Sequence, residues 1–160
     1  MTDKQHLLDL KATPIDDTLN EPQFLNQLNG SYTFLVTTRI PFTDAASSSK
    51  YGMFFVAPFP CSLVTAVERH GAVATGPATL DIEKLAVGIL SGSGVSMITS
   101  TFDLVGAANT VQSKKPTTVS SNAGLDTGDG VALKPSGTLT FLNDVTVTLV
   151  LKANTKYLSF

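Results

Sequence analysis

The chain has 160 residues, a formal charge of −2 at pH 7, one cysteine and no tryptophan, and 15% of its residues are charged. That length suits one domain with an appended arm and leaves no room for two full domains. A weakly acidic chain whose only basic pair is Lys114-Lys115 argues against a nucleic-acid partner, because phosphate binding depends on clustered Lys and Arg; the single Cys61 rules out an internal disulfide and a multi-cysteine zinc site.

Residues 1–30 read as an N-terminal arm, the only region with helical punctuation. Thr2 and Gln5 stand in capping-box relation, and Leu7, Leu8 and Leu10 make a short amphipathic turn. A second short helix fits NEPQFLNQLNG: Pro22 suits a first turn, Phe24, Leu25 and Leu28 share a face, and Gly30 closes it. The start has no apolar stretch of signal-peptide length. The longest apolar run, YGMFFVAPFPCSLVTAV, is broken by Gly52, Pro58 and Pro60, so neither export nor a membrane span is expected.

Residues 31–153 change to strand patterns separated by turn residues. YTFLVTTRI, YGMFFVA, CSLVTAVERH, ATLDIEKL, VSMITSTFDL, NTVQS, GVALKPSG and DVTVTLVLK read as about eight strands with no helical crossover, which forces antiparallel pairing. An all-β antiparallel sandwich of jelly-roll type is the expected body. In the last segment Val145, Val147, Leu149 and Leu151 should face the core while Thr146, Thr148 and Lys152 face water. Ser113–Gly130 reads as a long surface loop, and residues 154–160 as a C-terminal tail carrying Tyr157, Leu158 and Phe160.

Glu68, Arg69, His70, Asp81, Glu83 and Lys84 gather in TAVERHGAVATGPATLDIEKL and are the residue types acid–base chemistry uses. On a strand, however, Glu68 and His70 point one way and Arg69 the other, so the trio cannot converge from that strand. A solvated charge ladder on the rim of a hairpin formed with the Asp81–Glu83 strand is the expectation. Cys61 sits among apolar residues as a buried thiol, and no serine occupies a G-x-S-x-G elbow. GLDTGDG lacks the glutamate and helices of a calcium loop, so Asp126 and Asp129 read as turn residues. No catalytic, cofactor or metal residue is assigned. Sugar stacking is disfavoured by the missing tryptophan and by phenylalanines lying within apolar runs, with Tyr51 and Tyr157 as the rings left for it.

ERHGAVATGPATLDIEKL, GSGVSMITSTFDLVGAANTVQ and GDGVALKPSGTLTFLNDVTVTLVLK together resemble small structural proteins of tailed bacteriophage particles, over Pro58 to Lys152. The resemblance implies a non-enzymatic scaffold of the head decoration, cement or head-fibre type. Its partner would be the major capsid protein, its location the virion surface after synthesis in the host cytoplasm, and its state a homo-oligomer, a trimer by analogy. Leu7, Leu8, Leu10, Phe24, Leu25 and Leu28 in the arm, with Tyr157, Leu158 and Phe160 in the tail, are the expected partner-binding residues. A fibre or tail module binding a receptor or glycan through Ser113–Gly130, and a hydrolase with an unrecognised site, are the alternatives.

Overall fold

Strict alternation of large apolar and hydroxyl side chains in Val145–Ala153 builds the middle of one sheet. In the computed structural model, which describes residues 33–153, Val145, Val147, Leu149 and Leu151 are fully buried and Thr146, Thr148 and Lys152 lie on the other face. In chain order the elements are β1 (Thr33–Ile40), β2 (Met53–Val56), β3 (Cys61–Arg69), β4 (Ala78–Leu85), β5 (Val95–Ser96), β6 (Phe102–Asp103), β7 (Gln112–Lys114), the single turn α1 (Ser120–Ala123), β8 (Gly124–Leu125), β9 (Gly130–Gly137) and β10 (Val145–Ala153).

One sheet runs β1-β10-β3-β7, with β8 also on β3; the other runs β2-β9-β4-β5, with β6 also on β4. Every pairing between these strands is antiparallel. Counting β5 with β6, and β7 with β8, as single interrupted strands leaves eight, with the first and last, second and seventh paired: a jelly roll. The core lies between the sheets as one cluster, with Leu63, Ala66 and Val147 from the first against Leu80, Ile82 and Leu133 from the second. Phe34 extends it toward β2, packing at 6.3 Å from Phe55 and 5.5 Å from Phe59, ring centre to ring centre.

The register gives the body two distinct ends. Thr33 opposes Lys152, and Ser62 follows on β3, so the polypeptide comes into β1 and leaves β10 at the same corner. At the far end Arg39, Thr146 and Arg69 stand side by side across β1, β10 and β3. The connections β1–β2, β3–β4, β6–β7 and β9–β10 gather there.

Three expectations change. VSMITSTFDL does not form one strand: β5 and β6 are two residues each, because between them Ile98 bridges to Pro116 and Met97 is tied to Ile82 and Thr117, pulling the chain toward the other sheet. Ser113–Gly130 is not a free loop, since β7, α1 and β8 occupy much of it and two of those strands pair with β3. The third concerns β3 and β4, which lie in different sheets and make no hairpin. The connection between them is stitched instead to the β9–β10 connection, by the Ala72–Asn143 bridge and Thr75 N–H to Thr140 carbonyl at 3.0 Å. The arm residues Leu7, Leu8, Leu10, Phe24, Leu25 and Leu28, and the tail residues Tyr157, Leu158 and Phe160, lie outside the described residues.

Candidate functional site

A bulge in β3 decides where the charges around His70 go. Val150 pairs with Thr65 but Leu151 pairs with Leu63, so Val64 is an extra residue, and the inward parity shifts from Cys61 and Leu63 to Ala66, Glu68 and His70. Glu68 and His70 share a face, as the spacing requires, but it is the inner one: both are 0% exposed. The solvated ladder is therefore corrected to a buried network. His70 Nδ1 lies 3.0 Å from Glu68 Oε1, Gln112 Nε2 donates to Glu68 Oε2 at 2.9 Å, and His70 Nε2 is 3.3 Å from the Gly106 carbonyl. Gln112 also brackets Asp103, donating to its carbonyl at 2.6 Å and accepting its N–H at 3.0 Å.

Burial pushes the Glu68 carboxyl above its ordinary value, against the lowering effect of its bonds to His70 and Gln112. Both imidazole nitrogens are engaged and the ring is shielded. The network thus joins β3, β7 and the β6–β7 connection rather than presenting an acid–base pair to a substrate. Among the described residues every buried side-chain nitrogen and oxygen has a hydrogen-bond partner.

Above this network, at the far end of the sandwich, lies an open polar pocket of about 140 Å³ lined by Arg69, His70, Gly71, Asn109, Asp144 and Thr146. Arg69 Nη2 donates to Asn109 Oδ1 at 3.1 Å, and Asn109 is held by its N–H to the His70 carbonyl at 2.8 Å. Arg39 Nε donates to Asp144 Oδ1 at 2.6 Å, and this guanidinium holds the Asp144 carboxyl below the usual aspartate range. Asp144 N–H reaches the Phe42 carbonyl at 3.2 Å, and the Arg39 guanidinium lies 5.8 Å from the Phe42 ring centre.

The backbone at this end is unusual. Among the described residues the non-glycine positions with positive φ are Phe42 (43°), Asn109 (59°), Phe141 (67°) and Asp144 (54°), all in connections at the pocket end. Glycine takes the same region at Gly137 of this end and at Gly88, Gly92 and Gly128 of the opposite one. Asn and Asp tolerate it, but a phenylalanine there costs roughly 1–2 kcal/mol. Packing returns little of that, since Phe42 is 67% and Phe141 73% exposed, although the Arg39 guanidinium covers one side of the Phe42 ring. Neither ring stands out from the sequence pattern alone. The available signals were Pro41, which ends β1 before Phe42, and the LND turn that follows Phe141. Tyr51, by contrast, is packed against the core with its hydroxyl donating to the Ala45 carbonyl at 2.9 Å, and burial raises its pKa above the tyrosine range.

The other candidates are structural. Glu83 is covered on the outside of β4: Lys134 Nζ is 2.7 Å from Oε1 and Gly92 N–H donates to Oε2 at 2.9 Å, folding the β4–β5 connection over it. Asp81 accepts Ser96 Oγ at 2.7 Å. Lys84 points the other way, between the sheets, 3.1 Å from Asp129 Oδ2 and donating to the carbonyls of Gly124 at 2.7 Å and Ser121 at 3.2 Å. Asp129 also accepts Asp126 N–H at 2.9 Å, which accounts for the turn. Cys61 is buried and its thiol is pushed up to about 11, by burial first and the Asp129 charge second. Among the described residues no group of three or more His, Cys, Asp or Glu side chains is placed to hold a metal ion, and no helix is long and apolar enough to cross a membrane.

No protein-family model matches the sequence, and no curated protein matches it. Among solved structures, a chain of "Capsid of Ralstonia phage GP4" superposes with a TM-score of 0.57 at 14% identity, covering 89% of this chain and 91% of that one. The fold is shared with a phage-capsid chain. At that identity the likeness establishes the jelly-roll fold, over nearly the whole of both chains. A chain of "Structure of infectious bursal disease virus Gx strain" aligns at a TM-score of 0.28 and 12% identity, over 79% of this chain and 38% of that one, and carries no argument.

Proposed function

We propose that the chain is a non-enzymatic structural protein of a tailed-phage head, of the decoration or cement type, which binds the shell of the major capsid protein and stabilises it. The observation that carries this reading is the fold shared with a phage-capsid chain along nearly the full length of both. The body supports it: buried carboxylates and imidazole are tied into strands, and the single thiol is shielded. A shell ligand works by mass action, since anything that binds the assembled lattice and not its free subunits shifts the balance toward the lattice.

In this reading Leu7, Leu8, Leu10, Phe24, Leu25 and Leu28 anchor the arm to the capsid protein or to a neighbouring copy, and Tyr157, Leu158 and Phe160 join the copies into a homo-oligomer, a trimer by analogy. The test is the copy number of this chain relative to the major capsid protein in purified particles, by quantitative mass spectrometry. Comparable numbers support decoration of the whole shell. A small fraction would replace it with a fibre, vertex or tail part that binds a receptor, and absence would remove the virion reading. Deleting residues 1–29 should abolish attachment to particles, and retained attachment would reject the arm as anchor. Serine at Tyr157 and Phe160 should lower the solution mass; an unchanged mass would reject that role.

A further inference from the structure

The pocket end of the sandwich carries features that holding a shell does not require. Two phenylalanine rings stand in solvent on strained backbone at the end that holds a pocket of about 140 Å³, room for several water molecules: Phe42 is tied through its carbonyl to the N–H of the pocket residue Asp144, and Phe141 lies three residues before Asp144 in the same connection. The pocket's polar groups are mixed. Arg69 donates only, Asp144 accepts only, and Asn109 and Thr146 do both. Arg69 also keeps donors beyond the one given to Asn109, and Asp144 keeps an oxygen beyond the one given to Arg39.

A ligand matching this set must donate and accept at several adjacent atoms while offering apolar C–H faces to a ring. Polyols of the sugar type do both; an apolar anchor from a protein would leave the pocket's polar groups unpaired. Strained backbone that places large side chains in solvent, when glycine takes a positive φ without strain at Gly137 of this end and at Gly88, Gly92 and Gly128 of the other, points to those side chains having work outside the fold.

We propose that this end is a saccharide-binding site, in which Arg69, Asn109, Asp144 and Thr146 bond ring hydroxyls and Phe42, with Phe141 on the neighbouring connection, stacks on the sugar's C–H face. The inference is independent of where the chain sits on a particle, because it is read on the purified full-length protein.

Saturation-transfer NMR is run with glucose, galactose, rhamnose and N-acetylglucosamine, and with polysaccharide stripped from host cells, against the full chain and three variants: Phe42→Gly, Phe141→Gly and Arg69→Ala. At least one saccharide should bind, Arg69→Ala and Phe42→Gly should weaken it by about tenfold or more, and both glycine variants should melt no lower than the parent, because glycine relieves the positive φ. The thermal readout separates a ligand-directed ring from a structural one: a clear fall in melting temperature on losing the exposed rings would overturn the premise. No signal from any saccharide, or binding indifferent to all three variants, would overturn the site. Failure of particle attachment in the glycine variants, with no sugar bound by the parent, would assign the surface to a protein partner instead. None of these outcomes depends on the virion copy number, so the two readings fail separately.

Discussion

Replacing Lys84 by methionine tests the view that one buried ammonium group, paired with Asp129 beside its own sheet and bonded to carbonyls of β8 and α1, ties the two sheets together. The ammonium group lies between them, its side chain 15% exposed and that of Asp129 7%, and it also serves the Gly124 and Ser121 carbonyls of β8 and α1. Methionine keeps the stem's packing but leaves the Asp129 charge with only the Asp126 N–H, and removing one partner of a buried pair costs about 3–5 kcal/mol. Partial exposure and that surviving bond place the expected loss near the lower end, about 3 kcal/mol. Urea unfolding at pH 7 measures it as a lower midpoint at an unchanged slope. Adding Asp129→Asn removes the stranded charge while keeping an acceptor for Asp126, so the double variant should regain at least about 1 kcal/mol. A loss below about 1 kcal/mol for Lys84→Met, or a double variant no more stable than the single, would refute the reasoning.

The remaining predictions concern the buried network, the thiol and one turn. Because Glu68 has a raised pKa, the native state holds its proton above the ordinary glutamate value of 4.5 where the unfolded chain releases it. That contribution is fully present below the unfolded value and is lost as pH rises through the folded one; Glu68→Gln should flatten that part of a stability-against-pH curve, and an unaltered curve would reject the shift. Cys61, with its pKa near 11, should be roughly one part in a thousand thiolate at pH 8 and resist a disulfide reagent until the protein unfolds; rapid native labelling would contradict its burial. Gly137 has φ 87° and an added Cβ would land on the Pro77 carbonyl, so Gly137→Ala should cost more than about 2 kcal/mol and disturb the start of β4; unfolding at the parent's midpoint would show that the turn has another solution.

Much of the fold was legible because alternation in antiparallel strands has a period of two. Val145 to Leu151 and Leu80 with Ile82 declare their faces directly. The faces of Glu68 and His70 were not legible, because one inserted residue, Val64, reverses parity midway along β3 and nothing in CSLVTAVERH marks it locally. Polarity was then a poor guide to side: Glu83 lies on the outer face yet is covered, since Gly92 and Lys134 come from segments 9 and 51 residues away in sequence. The pocket was invisible for the same reason. Arg69, Asn109 and Asp144 come from three separate connections and strand ends, and only the jelly-roll closure assembles them.

The pairing of Thr33 with Lys152 gives the module a polarity that a genetic engineer can use. Both flanking segments start from one corner, and the strands between that corner and the Arg39–Thr146–Arg69 row run for about 20 Å at 3.3 Å per residue. Cargo joined directly to Thr33 or Ala153 would start from that corner, with the height of the sheet between it and the end that carries Phe42 and Phe141. Fusion at the Thr33–Ala153 corner and loop grafting at Phe42 or Phe141 are thus two separate addresses on one module, and a library built at one leaves the other free.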